Sequence, residues 1–141
     1  MKNNKKGFTL IELLVVIAII GLLSTLSVVA LNSARARSRD ARRVSDVKQI
    51  QTALEMHFNA LNAYPVLATE GLLTSIGTTT NLFMAAVPTA PLPIDGTCGT
   101  NNAYMYQSAN GSTYTLKYCL GATTGGIPGG SVQTATPAGI R

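Results

Sequence analysis

Lys5-Lys6-Gly7-Phe8-Thr9-Leu10-Ile11-Glu12-Leu13-Leu14 decides the reading of this chain, because it runs straight into a stretch without charge. No Asp, Glu, Lys or Arg occurs from Leu13 to Ala34. As a helix that run is long enough to cross a bilayer core of about 30 Å. Glu12 is out of place at its head. A carboxylate in an apolar span costs up to about 2.5–3.5 kcal/mol at the helix centre on insertion scales. The positive end of the helix dipole returns only about 0.3–1 kcal/mol. Glu12 is therefore expected to meet a cationic partner.

Two ordinary explanations fit less well. A secretory signal peptide has a shorter apolar region followed by an A-x-A-like cut site. Ala34-Arg35-Ala36 matches that cut loosely, but the run before it is too long and carries Glu12. A plain membrane anchor explains the length and the lysines, though not Gly7, Phe8 and Glu12 together. Gly7-Phe8-Thr9-Leu10-Ile11-Glu12-Leu13-Leu14-Val15-Val16-Ile17-Ala18-Ile19-Ile20-Gly21 resembles the N-terminus of type IV prepilins and of the pseudopilins of type II secretion systems. That resemblance implies cleavage between Gly7 and Phe8 by a prepilin peptidase and N-methylation of Phe8. It also implies that Glu12 pairs with the N-terminal amine of a neighbouring subunit during assembly.

The resemblance implies an α+β fold shaped like a ladle, with one long N-terminal helix on a small antiparallel β-sheet. The expected divisions are a leader at 1–7, an apolar membrane-spanning or filament-core half at 8–34, an amphipathic half at 35–63 and a small head at 64–141. Val44, Val47, Ile50, Leu54, Phe58 and Leu61 step by three or four and form one apolar stripe. Arg42, Ser45, Asp46, Lys48, Gln49 and Glu55 fall on the other side. Arg42–Asp46 and Asp40–Arg43 have pair spacings, each worth a few tenths of a kcal/mol on an exposed face. From Thr9 to Asn62 a single helix would be roughly 80 Å long, ending at Asn62-Ala63-Tyr64-Pro65 where Pro65 stops it.

Beyond the helix the signals are uneven. Residues 66–92 are Thr/Ala-rich with scattered Gly and Pro and read as a loop, with short helical turns possible at Leu72-Leu73-Ile76 and at Leu82–Val87. Asn110-Gly111 between two runs of alternating residues marks a β-hairpin of residues 104–108 and 113–120. Alternation sets Tyr114, Leu116, Tyr118 and Leu120 toward the helix stripe, and Thr113, Thr115, Lys117 and Cys119 on the opposite face. Residues 121–141 read as a tail rich in Gly, Thr, Ala and Pro with almost no charge. Its Gly125-Gly126 and Gly129-Gly130 lack the spacing of a phosphate loop.

Cys98 and Cys119 are expected to form one disulfide, closing a loop of about 22 residues and worth about 3 kcal/mol in chain entropy. The other readings are two free thiols or half a zinc site; zinc wants about four ligands, and His57 is the single histidine. Asp95-Gly96, Tyr104-Met105-Tyr106 and Tyr114 to Gly121 follow the order of the major pseudopilin's C-terminal half. That subgroup binds calcium in an acidic loop, where this chain has Ala122-Thr123-Thr124. The calcium site is not carried over, and no metal or cofactor is expected. That departure leans the assignment toward a pilus subunit.

With 12% charged residues and a net charge of +5, nucleic acid has to be considered. Arg35, Arg37, Arg39, Arg42 and Arg43 cluster after the span, but no aromatics interleave them and they cannot share one face. They run against the positive-inside rule. They are expected to meet lipid head groups before assembly and neighbouring carboxylates such as Asp40 and Asp46 afterwards. No Ser-His-Asp or Cys-His set can be assembled, so the chain is expected to be a substrate of enzymes rather than one itself. Its implied partners are copies of itself, the peptidase and methylase, and an inner-membrane assembly platform. The implied location is the inner membrane, N-terminus in the cytoplasm, and then a filament outside.

Overall fold

The computed structural model describes residues 7–96, 98, 99 and 102–140. Of the expected leader only Gly7 falls within them. The chain divides into two compact units, one ending at Arg35 and the other beginning at Ala36. Helix α1 (Leu10–Leu61) belongs to both. Seven strands follow: β1 (Leu67–Leu72), β2 (Ile76–Gly77), β3 (Leu82–Met84), β4 (Met105–Ser108), β5 (Thr115–Leu120), β6 (Ser131–Thr136) and β7 (Gly139–Ile140).

The first unit is helix without a core. Its large apolar side chains are exposed from Phe8 to Leu31. The few hydroxyls satisfy themselves: Ser24 donates to the Ile20 carbonyl at 2.7 Å, Thr25 to Leu22 at 2.8 Å and Ser27 to Leu23 at 2.8 Å. In hydrocarbon no water is available for such groups, so internal bonding is what membrane residence requires.

In the second unit the helix lies on a five-stranded antiparallel sheet of order β1-β4-β5-β6-β7. Val47, Ile50 and Leu54 are fully buried against Tyr106, Leu116, Tyr118, Leu120 and Ala135. Each such Leu or Ile contributes about 1.5–3 kcal/mol. The β4–β5 hairpin has the expected alternation, with Met105 opposite Lys117 and Tyr106 opposite Leu116. Gly111 supplies a positive φ of 74° in its turn, and its carbonyl accepts the Tyr64 N–H at 2.8 Å. The helix ends where expected. Asn62 takes a left-handed φ of 54° and donates to the Phe58 carbonyl, a common way to close a helix.

One expectation for the head fails, and the Gly-rich tail proves to hold strands. Residues 66–92 hold strands rather than a loop with helical turns: β1 pairs with β4, with Leu72 opposite Met105, and β2 pairs with β3. Pairing with partners distant in sequence overrides a weak local signal here. The tail is also structured. Five residues of β6 pair with β5, from Leu120↔Ser131 to Leu116↔Ala135. Ala135 enters the core. The sequence Ser-Val-Gln-Thr-Ala-Thr has too little apolar character for its alternation to be noticed.

Candidate functional site

Two sets of residues stand out, one in each unit. The first begins the helix. Thr9 and Glu12 form a reciprocal cap: the Thr9 N–H and hydroxyl donate to Glu12 Oε2 at 2.8 and 2.7 Å, and the Glu12 N–H donates to Thr9 Oγ1 at 3.3 Å. Such a capping box satisfies donors that a helix start otherwise leaves open. Glu12 therefore has a polar partner before any cation arrives, which its carboxylate alone did not suggest. The Thr-x-x-Glu spacing was the available signal. Phe8 is 75% exposed. A Cβ at Gly7 would have open space around it, so nothing among the described residues demands glycine there. Lys5 and Lys6 lie outside the described residues. By length and composition α1 can cross a membrane.

The second set is buried and was expected on the surface. Asp40 and Arg43 are wholly inaccessible and Asp46 nearly so. Arg43 Nη1 donates to Asp40 Oδ1 at 2.7 Å and to Asp95 Oδ2 at 3.0 Å. Its Nη2 donates to the Pro91 carbonyl at 2.9 Å and to Asn102 Oδ1 at 3.0 Å. Arg39 grips Asp95 with two bonds, from Nε at 2.7 Å and Nη2 at 2.5 Å. Asp40 in turn accepts the Gly121 and Ala122 N–H groups at 3.0 and 2.9 Å. The helix is thus tied both to the 91–102 loop and to the end of β5. A bidentate arginine pair is among the strongest of such contacts. Hydrogen bonding from Arg39, joined by Arg43, holds the Asp95 carboxyl below the usual range, and Asp95 raises Arg39.

Glycine makes this crossing possible. A Cβ on Gly121 would lie 2.4 Å from Asp95 Cβ, and one on Gly129 would lie 2.0 Å from the Ala122 carbonyl carbon. The Cys98–Cys119 disulfide closes the same region, with Cα atoms 5.8 Å apart. Both sulfurs are buried, whereas alternation had put Cys119 on an open polar face. The bond brings Cys98 onto that face.

The remaining carboxylates are also engaged. Tyr104 donates to Asp46 at 2.9 Å, Tyr64 donates to Glu55 at 2.9 Å, and Lys117 bonds Glu70. The arginines were expected to meet Asp40 and Asp46, and within the chain Arg43 bonds Asp40 and Arg42 lies near Asp46, but both carboxylates are buried rather than on a solvated face. The arginine cluster divides as well. Arg39 and Arg43 are neutralised internally, while Arg35, Arg37 and Arg42 are exposed, Arg42 at 4.0 Å from Asp46. His57 is buried, with its Nδ1 2.7 Å from the Ala63 carbonyl and its ring edge against Phe83. Among the described residues no three His, Cys, Asp or Glu side chains gather as a metal site. The space between Asp40 and Asp95 is filled by the Arg43 guanidinium.

Residues 2–28 match the prokaryotic N-terminal methylation motif. The chain is 46% identical over 55 residues to the type IV major fimbrial protein FimA of Dichelobacter nodosus, covering 39% of this chain and 35% of that protein. It is 38% identical over 64 residues to the type II secretion system core protein G of Aeromonas hydrophila, covering 45% of each. A fimbrial protein of Pseudomonas aeruginosa is 45% identical over 51 residues, or 36% of this chain and 33% of that protein. The chain thus spans less than half the length of these relatives.

Proposed function

We propose that this chain is a structural subunit of a type IV pilus or pilus-like filament, made as a prepilin and polymerised from the membrane. The match of residues 2–28 to the methylation motif carries the reading, because it takes in Gly7, Phe8 and Glu12 and the start of an exposed apolar helix. In this reading residues 1–7 are the leader and 8–34 the membrane anchor that becomes filament core. Residues 35–63 carry the head, 64–141. The peptidase cuts between Gly7 and Phe8, Phe8 is N-methylated, and Glu12 pairs with the N-terminal amine of a neighbour.

The chain is then a substrate of the peptidase and methylase and no enzyme. It waits in the inner membrane, N-terminus in the cytoplasm and lipid around its first helix half, until an assembly platform moves it into a filament outside. Nucleic acid is the weaker partner reading, since Arg39 and Arg43 are already held by carboxylates. A pseudopilin of a type II secretion system is the second reading. The longer match to core protein G favours it. Neighbouring genes, for a retraction motor or for secretion, separate the two.

The test is expression with the cognate peptidase, mass spectrometry of the N-terminus and electron microscopy. A chain beginning at N-methylated Phe8 and forming filaments is expected, with Gly7→Leu retaining its leader. A chain that keeps the leader and stays monomeric sinks the reading.

A further inference from the structure

Glu12 has one carboxylate oxygen still open. Thr9 donates twice to Oε2, and no bond within the described residues ends on Oε1. Every other side-chain carboxylate of the chain is bonded internally. Among the described residues a second copy therefore offers a surface cation one free acid, Glu12. On the same unit, and on the same unbroken helix, Arg35 is exposed with no acid partner among the described residues.

Spacing turns this complementarity into a register. Glu12 and Arg35 are separated by about 35 Å along the helix at 1.5 Å per residue, and nothing between them is charged. When two parallel copies lie side by side without offset, Glu12 meets Glu12. At increasing offsets the Glu12 of the advanced copy faces only uncharged side chains, until Arg35 arrives at about 35 Å. Buried polar pairs fix register in packed helices for this reason: every other alignment leaves the charge unmatched. The two residues sit about 140° apart around the helix. Their contact therefore joins two different surfaces, the heterologous kind that propagates into open filaments.

We infer that Glu12 of one copy pairs with Arg35 of a second copy displaced by about 35 Å along the filament axis, and that this pair sets axial register. The inference rests on the filament reading above. It adds a second neighbour to the one whose amine reaches Glu12, since a carboxylate accepts several donors.

The test uses filaments of the full-length protein carrying Arg35→Lys, which keeps the charge and supplies an amine. A zero-length carbodiimide reagent joins a carboxylate to an amine in direct contact. Peptide mapping should find Glu12 joined to position 35, and such a link must run between copies because the two are far apart within one helix. The Glu70–Lys117 pair serves as the internal control. Filaments that give the control link and no link at Glu12 overturn the inference. Wild-type filaments provide an independent measurement by electron cryomicroscopy: two copies offset by about 35 Å with Glu12 against Arg35 support it, and the absence of such a pair overturns it. If wild type forms no filaments, the filament reading fails first and the register falls with it.

Discussion

Glu12 and Arg43 are both charges set against apolar surroundings, and the chain treats them differently. Arg43 has its charge compensated at once, its two terminal nitrogens bonding two carboxylates, a carbonyl and an amide oxygen, while its buried Nε finds no partner among the described residues. Breaking a buried pair by removing one partner costs about 3–5 kcal/mol, because the other charge is left uncompensated. Arg43→Leu should lower unfolding stability by that much in chemical denaturation of the detergent-solubilised chain. Asp40 is the carboxylate left without a cation, since Arg39 still holds Asp95, so adding Asp40→Asn should return part of the loss, and an unchanged midpoint would show that the cluster does not stabilise the head. Glu12 is capped but not neutralised. Glu12→Ala should insert at least as well as wild type and assemble poorly, read as the ratio of filament to membrane-bound chain. Equal filament yield would remove its pairing role. The Asp40–Arg43 spacing was visible in the sequence, but an i, i+3 pair looks the same exposed or buried. Burial here depends on Asp95 and on the bare backbone at Gly121, both far along the chain.

At the scale of elements, legibility followed signal strength. The apolar run and the Val47–Ile50–Leu54 stripe have the helix period, and Asn110-Gly111 between Tyr106 and Tyr114 can hardly be anything but a hairpin turn. Strands β1 and β6 carry Thr, Ala, Gly and Gln, with little alternation to read. They form because β4 and β5 present open edges, which local sequence does not record. The disulfide was legible because a small head with few apolar residues gains most from a staple. Replacing Cys98 and Cys119 by serine should cost about 2–5 kcal/mol, typical for small exported domains. Free thiols recovered from purified filaments, or an unchanged denaturation curve, would contradict this.

For the molecule as a whole, much of the positive charge is temporary. Lys2, Lys5 and Lys6 leave with the proposed leader, taking three of the five net positive charges. Stability should be flat near neutrality and fall at both extremes. Burial pushes the Tyr106 and Tyr118 hydroxyls up to about 12, against about 10 in an unfolded chain. Between those values the unfolded state has lost protons that the folded state keeps, so stability falls as pH rises. On the acid side Asp95 is held below the ordinary carboxylate range. Its contribution is present above the unfolded value of about 3.9 and is lost as pH falls through the lowered folded one. Phenolate absorbance should show late-titrating tyrosines that convert as the head unfolds. Complete ionisation near pH 10 with the fold intact would contradict this.

The pairing of β6 with β5 has a consequence for export. A chain threaded through the membrane behind its anchor delivers the helix stripe first and Ala135 nearly last. Until β6 crosses, Leu116, Tyr118 and Leu120 have an unfinished sheet around them, and Val47, Ile50 and Leu54 wait beside it. The head therefore cannot close stepwise during translocation. In a chain exported as proposed, the head would close only once β6 has crossed.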